Sequence, residues 1–374
     1  MDFDLTDEQR LLAESVQRLV AGAYPDLETR KAYRAEPKGY AAANWAAMAE
    51  MGLLALPLAE DQGGFGGGPV ETMIVMEAFG RGLVVEPYLA SIVLGLGLLR
   101  RVGGQDALVA RVAAGDITLG FAHQERQARH DLHDVATAAR QDGADWVLDG
   151  AKGVVLHGDS ADRLIVSARL EGGRRDRDGI GLFLLDPATA GVARRGYATQ
   201  DGLRAAEIVL EGVRATLLAE DALPLIEWVV DEAIAAICAE AVGAMDTLRD
   251  LTVDYLKTRQ QFGQAIGAFQ ALQHRAADML VATEQARSMT MYAAMMVQEP
   301  DPVARGTALS AAKALVGRLA DQLGKEAIQL HGGIAMTEEY KAGHYFKRLS
   351  MLGVLFGDVD HHLRRVVAAG GLPD

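Results

Sequence analysis

Regular hydrophobic spacing is most extended in the last third of the chain. Between Pro224 and Pro300 no proline occurs, and apolar residues recur at the three- and four-residue spacing of an amphipathic helix. This spacing predicts two long helices with a break around 264–267, a third helix over 304–330 and a shorter one over 358–369. Because their apolar stripes need a covering surface, the pattern predicts a C-terminal four-helix bundle.

The middle of the chain has a different period. From about Ile117 to Val213 apolar and polar residues tend to alternate, and the dipeptides Asp142-Gly143, Asp149-Gly150 and Asp178-Gly179 predict turns. The strand candidates are 134–139, 146–148, 163–168, 181–185 and 206–210. Their spacing favours an antiparallel β-sandwich or barrel over strand–helix–strand units.

The stretch before about Ala114 is again helical in pattern. Thr6 and Gln9 have the spacing of a capping box and predict where the first helix begins. We therefore expect an α+β protein with three domains: an N-terminal helical domain over residues 1–115, a middle β domain over 116–222 and a C-terminal helical domain over 223–374.

Charge and composition narrow the possible partners and location. The chain has 37 Lys and Arg against 51 Asp and Glu, a net charge of −14, which disfavours nonspecific binding to nucleic acid or to an anionic membrane. No apolar run reaches the roughly 18 residues of a membrane-spanning helix. The acidic start MDFDLTDEQR does not resemble a signal peptide, and the single Cys238 cannot form an internal disulfide. We expect a cytoplasmic protein.

Several candidate motifs are weak. The glycine-rich loop Gly63–Gly68 lacks the strand that precedes a dinucleotide-binding loop, so a tight turn into a helix at Pro69 is the better interpretation. His130 and His133, like the adjacent His361 and His362, have no partner ligands at suitable spacing, and we predict no metal site.

Two stretches of the C-terminal third carry a stronger signal. The first runs from Tyr255 to Gln273 and supplies Arg259 for a phosphate, Phe262 for packing on a planar ring, and Gln270 as a hydrogen-bonding group. The second runs from Gln329 to Tyr340 and contains Gly332-Gly333, which would let a pyrophosphate approach the backbone. Either stretch alone is best explained as a surface charge or a helix cap. Both together, in this order, favour nucleotide binding.

These stretches resemble the acyl-CoA dehydrogenase family, and the resemblance covers nearly the whole chain. The segment Trp146–Lys152 is similar to a family hairpin. The start of the chain and the block Gly63–Arg81 resemble the small subunits of pimeloyl-CoA dehydrogenases, which pair with a distinct larger subunit.

The resemblance implies a flavoprotein that oxidises an acyl-CoA to the 2-enoyl-CoA. A carboxylate takes the α-proton, the β-hydride moves to FAD, and an electron-transfer flavoprotein reoxidises the flavin. Family members are dimers of dimers in which a neighbour's residues hold the nucleotide end of FAD. In this sequence those residues would be Arg259, Phe262, Gln270, Gln329, Gly332 and Gly333.

The sequence departs from the family where flavin chemistry occurs. Phe356 stands at the position of the usual catalytic glutamate, and Ala233 at the alternative position on a helix. The flavin-contacting loop reads Gln124–Asp131 without the family's threonine, serine and glycine. Val154 replaces the tryptophan that backs the flavin, and Leu156-His157 replaces the threonine and asparagine that follow it. The weak candidates for a base are Asp358 and Glu232. Glu240 and Asp231 are less well placed.

Two hypotheses follow. In the first, the chain is a self-sufficient acyl-CoA dehydrogenase with an unconventional carboxylate. In the second, which the clustering of departures favours, it is the small subunit of a hetero-oligomer and lends its nucleotide-binding residues to FAD in a larger catalytic subunit. An acyl-CoA oxidase, which passes its electrons to oxygen, is a third possibility that these residues leave open, as they do the length of the acyl chain.

Overall fold

The structure is a computed structural model that describes residues 5–143 and 145–371. Tertiary contacts divide the chain into two compact units. The first unit comprises Met1–Lys31, Gly68–Val84 and Ile234–Asp374, and the second comprises Ala32–Gly67 and Val85–Ala233. The division into three domains at residues 115 and 222 stays a prediction.

The helices follow the chain in this order: α1 (Asp7–Ala23), α2 (Leu27–Ala35), α3 (Ala42–Glu50), α4 (Pro69–Gly82), a π-helix (Leu89–Leu96), α5 (Gly97–Val102), α6 (Asp106–Ala113), α7 (Leu223–Thr258), α8 (Gln270–Met296), α9 (Pro302–His331), α10 (Lys341–Val354) and α11 (Val359–Ala368). Among the described residues, no helix combines the length and apolarity that crossing a bilayer requires.

The first unit is helical, and its helices begin and pack as simple rules require. Thr6 and Gln9 form the predicted capping box at the start of α1. Helices α4 and α7 approach so closely that a Cβ atom on Gly80 would lie 2.0 Å from the Glu240 carbonyl oxygen. On the facing helix, a Cβ atom on Gly243 would lie 1.9 Å from the Glu77 carbonyl oxygen. Glycine at both positions is therefore a condition of this packing.

The second unit is built around a β-sheet. Its strands are β1 (Leu119–Ala122), β2 (Ala138–Asp142), β3 (Asp145–Leu156), β4 (Arg163–Arg169), β5 (Ile180–Leu185), β6 (Val192–Ala198) and β7 (Arg204–Ala219). The order β4-β2-β3-β7-β5 closes through pairing of β5 with β4, and β1 and β6 flank this ring. Leu148, Val166, Phe183 and Ile208 lie in its fully buried core.

The predicted fold class, with helices at both ends of the chain and a β domain between them, is confirmed. One turn prediction is wrong: Asp149-Gly150 lies inside β3, where the pairing with β7 has a bulge. Cross-strand pairing with β7 continues through this dipeptide, so its local turn propensity is overridden. The antiparallel expectation also needs an amendment, since β1 pairs with β4 in parallel.

Candidate functional site

The two C-terminal motifs converge because the ends of α7 and α9 pack through aromatic rings. The Tyr255 ring lies 4.7 Å, centroid to centroid, from the His331 imidazole. The Tyr340 ring lies 5.1 Å from the same imidazole. Tyr255 is in the last turn of α7 and His331 ends α9. Arg259, the first residue after α7, and Gly332, the first residue after α9, therefore belong to one region of the first unit.

An ion pair joins the other two motif elements. Arg275 on α8 is paired with Glu326 on α9. Gln270 begins α8 and Gln329 lies near the end of α9, each within two helical turns of this pair. The six residues proposed from sequence are all solvent-exposed: Arg259, Phe262, Gln270, Gln329, Gly332 and Gly333.

A short hairpin between α7 and α8 projects an aromatic ring into solvent. Its two-residue strands are Gln260–Gln261 and Gln264–Ala265. The loop residues Phe262 and Gly263 both have positive φ, 54° and 79°, as a type I′ turn requires. Phe262 is 87% exposed, although burying such a ring is worth roughly 1.5–3 kcal/mol. A bulky residue in left-handed backbone with an uncovered ring marks a position held for a ligand or a partner.

Gly332 and Gly333 leave open space beside the backbone. A Cβ atom added at either glycine would meet nothing within 4 Å, and Gly332 has a φ of 67°. His331, directly before them, is buried, and burial lowers the pKa of its imidazole. This part of the surface can therefore admit a bulky group close to the main chain.

Arg259 supplies an uncompensated positive charge in this region. In the described part of the chain its guanidinium has no carboxylate and no hydrogen-bond acceptor, and the amides of Gln270 and Gln329 are likewise without side-chain partners. One cation, two amides, an exposed ring and an open glycine pair are groups that bind phosphate and a planar base.

In the second unit, the loop Gln124–Asp131 is firmly anchored at Glu125. This buried carboxylate accepts hydrogen bonds from Lys152 Nζ at 2.6 Å, from the Ala136 amide at 2.8 Å and from the Thr137 amide at 3.0 Å. Burial by itself would raise the pKa of Glu125, but the Lys152 charge and these hydrogen bonds outweigh it and hold the pKa at about 2. The loop is thus tied to β2 and β3.

The loop is anchored, yet the residues at the positions that the resemblance assigns to flavin contact differ from those of the family. Gln124 is exposed, and its side-chain amide donates back to the Arg129 carbonyl at 3.3 Å. Val154 has a φ of 50° at the bulge between β3 and β7, an unusual conformation for a β-branched residue. Gln124, Val154 and Leu156 offer no hydroxyl group.

The two positions where the resemblance implies a catalytic carboxylate hold apolar side chains. Phe356 is half-buried with a φ of 57°, and Ala233 is fully buried within α7. Neither side chain can accept a proton.

Both weak candidates for a base have structural partners. The Asp358 carboxylate accepts a hydrogen bond from the His361 amide at 2.8 Å and thereby caps the start of α11. The Glu232 carboxylate lies 2.6 Å from Arg101 and 3.7 Å from Arg100 in the second unit. A carboxylate held in an ion pair or a helix cap is a poor proton acceptor because those contacts stabilise its charge.

The two less favoured carboxylates are buried. Glu240 forms a bidentate pair with Arg348, with N–O distances of 2.6 and 2.7 Å, which joins α7 to α10. Asp231 is 3% exposed on α7. Glu240 thus has a structural function in the first unit.

Comparison with known proteins identifies the family. Three family models match in succession: the acyl-CoA dehydrogenase N-terminal domain over residues 6–107, the middle domain over 120–213 and the C-terminal domain over 223–371. The chain belongs to the acyl-CoA dehydrogenase family.

Individual relatives agree with this acyl-CoA dehydrogenase assignment. Acyl-CoA dehydrogenase IpdE2 of Mycobacterium tuberculosis is 32% identical over 96% of this chain and 96% of its own length. The solved Tcur3481-Tcur3483 steroid ACAD is 26% identical with a TM-score of 0.88, covering 97% of each chain. The FAD complex of PigA is 25% identical with a TM-score of 0.90 over the full length of both chains.

The activity of this acyl-CoA dehydrogenase is therefore an FAD-dependent oxidoreductase reaction of fatty acid metabolism. Two buried groups of the family fold were missed by sequence reasoning. The hairpin resemblance includes Lys152 without indicating that it is buried, and the helical pattern over 304–330 does not distinguish Lys313 from an exposed lysine. Both are lysines within otherwise apolar stretches, which is the signal that could have revealed them.

Proposed function

We propose that this chain is the small subunit of a hetero-oligomeric acyl-CoA dehydrogenase and holds the nucleotide end of FAD seated in a larger catalytic subunit. One contrast carries the proposal. Arg259, Phe262 and the Gly332-Gly333 pair are exposed and uncovered, whereas both positions for the catalytic carboxylate hold apolar residues, Phe356 and Ala233.

The exposed groups fit the nucleotide end of FAD chemically. Arg259 would form a charge-assisted contact with the pyrophosphate, Gln270 and Gln329 would hydrogen-bond polar atoms, and the open glycine pair would admit the phosphates. FAD, when bound, supplies the hydride acceptor of the reaction. The residues of this chain at Gln124, Val154 and Leu156 fit the flavin ring poorly, since they provide neither a hydroxyl donor nor an aromatic backing.

The substrate that we propose is a dicarboxylyl-CoA such as pimeloyl-CoA, and the electron acceptor an electron-transfer flavoprotein in the cytoplasm. The substrate rests on the resemblance of the first residues and of the block Gly63–Arg81 to pimeloyl-CoA dehydrogenase small subunits. A structure similar to this chain at 26% identity is named for two gene products, Tcur3481 and Tcur3483, which supports a two-subunit enzyme. Turnover of pimeloyl-CoA should exceed that of the seven-carbon monocarboxylyl-CoA if the assignment is right.

Flavin content tests the subunit role. Expressed alone, the chain should bind FAD poorly; expressed with a large acyl-CoA dehydrogenase subunit, it should yield a yellow complex with fewer than one FAD per chain. A purified homo-oligomer with stoichiometric FAD that bleaches on addition of an acyl-CoA would contradict the lending role. It would support the alternative, a self-sufficient enzyme with an unconventional carboxylate.

A further inference from the structure

A buried lysine joins α9 to the end of α10. Lys313 is 3% exposed on the face of α9 that also carries the buried residues Leu309, Val316 and Ala320. The methylene chain is suited to that apolar surface, but the ammonium group needs acceptors for its three N–H donors. Such a group is retained inside a bundle only where its hydrogen bonds are satisfied.

The acceptors of Lys313 are three backbone carbonyls of one short segment. Its Nζ donates to Leu352 at 2.8 Å, to Gly353 at 3.0 Å and to Gly357 at 3.2 Å. Leu352 and Gly353 lie in the last turn of α10, where carbonyls have no partner within the helix. A cation at a helix C-terminus is also favoured by the helix dipole. Lys313 therefore caps α10 and binds the segment beyond it.

That segment has an unusual backbone. Phe356 has a φ of 57° and Gly357 a φ of 123°. A Cβ atom on Gly357 would lie 2.6 Å from His362 Nε2, so glycine is required there. Left-handed backbone at a bulky residue is retained only where surrounding contacts enforce it. The Lys313 bond to Gly357 is such a contact, because it fixes the carbonyl directly after Phe356.

We propose that Lys313 is a positioning residue that fixes the turn 352–357 and thereby the direction of the side chain at position 356. This is the position where the resemblance implies the usual catalytic glutamate of the family. The proposal goes beyond the lending role and does not depend on it, since the turn is held by the first unit's own residues. The arrangement would persist whether position 356 carries a carboxylate or phenylalanine.

The charge state of Lys313 gives the proposal a measurable signature. Burial lowers the pKa of Lys313 to about 8. The titratable groups that act on it are Cys238 from α7, Asp358 at the N-cap of α11 and His362 within α11. Burial raises the pKa of Cys238 to about 12 and lowers that of His362 to about 2, so both stay neutral between pH 7 and 9. Above pH 8 the neutral amine has two N–H groups for three carbonyls, and one hydrogen bond is lost.

Hydrogen exchange on the full chain in its assembled state tests this. In the wild type, the Leu355 and Gly357 amides donate to Met351 and Val354, and their exchange reports opening of the turn. After correction for the intrinsic rate, opening of the turn should rise about tenfold between pH 7 and 9. Lys313→Met should exchange about tenfold faster in the turn at both pH values, with little effect in α8. Lys313→Arg stays charged and should show no rise with pH.

Lys325→Met is the matched control, because Lys325 lies on the same helix but is exposed and paired with Asp321. In Lys325→Met, the amides of the turn 352–357 should exchange at the wild-type rate. Equal pH dependence in the wild type and Lys313→Arg would overturn the proposal. So would wild-type exchange of the turn in Lys313→Met, or an equal acceleration in every helix. If Lys313→Met does not fold, the pH dependence of exchange in the wild type and in Lys313→Arg tests the proposal without it.

Discussion

At the scale of single residues, Arg259 supplies the positive charge that holds the nucleotide in our proposal. Arg259→Ala should weaken FAD binding in the assembled enzyme, because a charge-assisted hydrogen bond is lost. Such bonds contribute about 1.5–3 kcal/mol, so the dissociation constant should rise by roughly 10- to 150-fold. Fluorescence titration of the deflavinated complex with FAD measures the change.

Arg318→Ala is the control for this substitution, because Arg318 is an exposed arginine of α9 that lies outside both motifs. It should leave FAD affinity unchanged. If Arg259→Ala and Arg318→Ala have the same affinity as the wild type, Arg259 does not contact the nucleotide.

Two further residue-scale substitutions locate the proton-abstracting base. Asp358→Asn and Glu232→Gln should each leave turnover of the holo-complex within a few-fold of the wild type. Asparagine caps a helix about as well as aspartate, so Asp358→Asn should keep α11 in place. Glu232→Gln removes the ion pair with Arg101 but no group that we expect to touch the substrate.

Steady-state kinetics with acyl-CoA measures both effects. Loss of a general base typically costs a factor of about 100 to 10,000. A loss of that size in Asp358→Asn, with FAD bound and helix content unchanged, would place the base on this chain and reject the lending role.

At the scale of elements, the Glu125–Lys152 pair joins the loop after β1 to strands β2 and β3. The pKa of Glu125 is about 2 in the folded chain, below its unfolded value of about 4.3. Between these two pKa values, the unfolded state therefore binds a proton at Glu125 that the folded state does not. The contribution of the ionised Glu125 carboxylate to stability is complete above about pH 4.3 and is lost as the pH falls towards 2. A pKa difference of this size corresponds to about 3 kcal/mol. Burial also lowers the pKa of Lys152 to about 8, so the buried ammonium group offsets part of this contribution and the net stabilisation by the pair is smaller.

Urea unfolding of the wild type between pH 2.5 and 5 measures this dependence. The double variant Glu125→Gln/Lys152→Met removes both charges together, so no unpaired ion stays buried. Its free energy of unfolding should depend less steeply on pH, by about one bound proton. Parallel pH profiles for the two proteins would show that Glu125 is not held ionised by Lys152.

Elements were predictable from sequence where burial and hydropathy coincide. Helices α7, α8 and α9 have apolar stripes that need no distant partner to be recognised, and their existence and the break between α7 and α8 were predicted. Helix α10 was missed because one of its buried positions is Arg348, whose charge is compensated by Glu240 far away in sequence. Strand β6 was missed because most of its residues are exposed, and it pairs with β7 alone.

The candidate site could likewise be predicted from the sequence only in part. The two C-terminal motifs, occurring together in this order, predict that Arg259 and Gly332 serve one nucleotide. The packing of Tyr255 on His331 brings the ends of α7 and α9 together, which supports that prediction. The anchoring of Glu125 and the capping by Lys313 could not be predicted, because each depends on a carbonyl or an amide that the fold brings from elsewhere. Neither motif identifies the residue that takes the α-proton.

At the scale of the whole molecule, the exposed apolar side chains of the first unit indicate an assembly. Phe262 is 87% exposed and Met336 is 77% exposed, and both lie in the two motifs that hold the nucleotide in our proposal. Exposed apolar groups rimmed by polar residues mark interaction surfaces. We therefore expect a dimer or tetramer with these side chains at a subunit boundary.

Phe262→Ser tests the boundary. Burying a phenylalanine contributes roughly 1.5–3 kcal/mol, so its removal should weaken subunit association by about 10- to 150-fold and release FAD with it.

Phe65→Ser is the control, since Phe65 is also largely exposed, at 62%, but lies in the second unit, outside both motifs. Light scattering across a dilution series, with flavin absorbance read on the same samples, separates the two variants. Because the nucleotide end of FAD would be held across the boundary, flavin loss should follow dissociation in Phe262→Ser and be absent in Phe65→Ser. A stable wild-type monomer that retains flavin would mean that Arg259 and Phe262 serve no neighbour's cofactor.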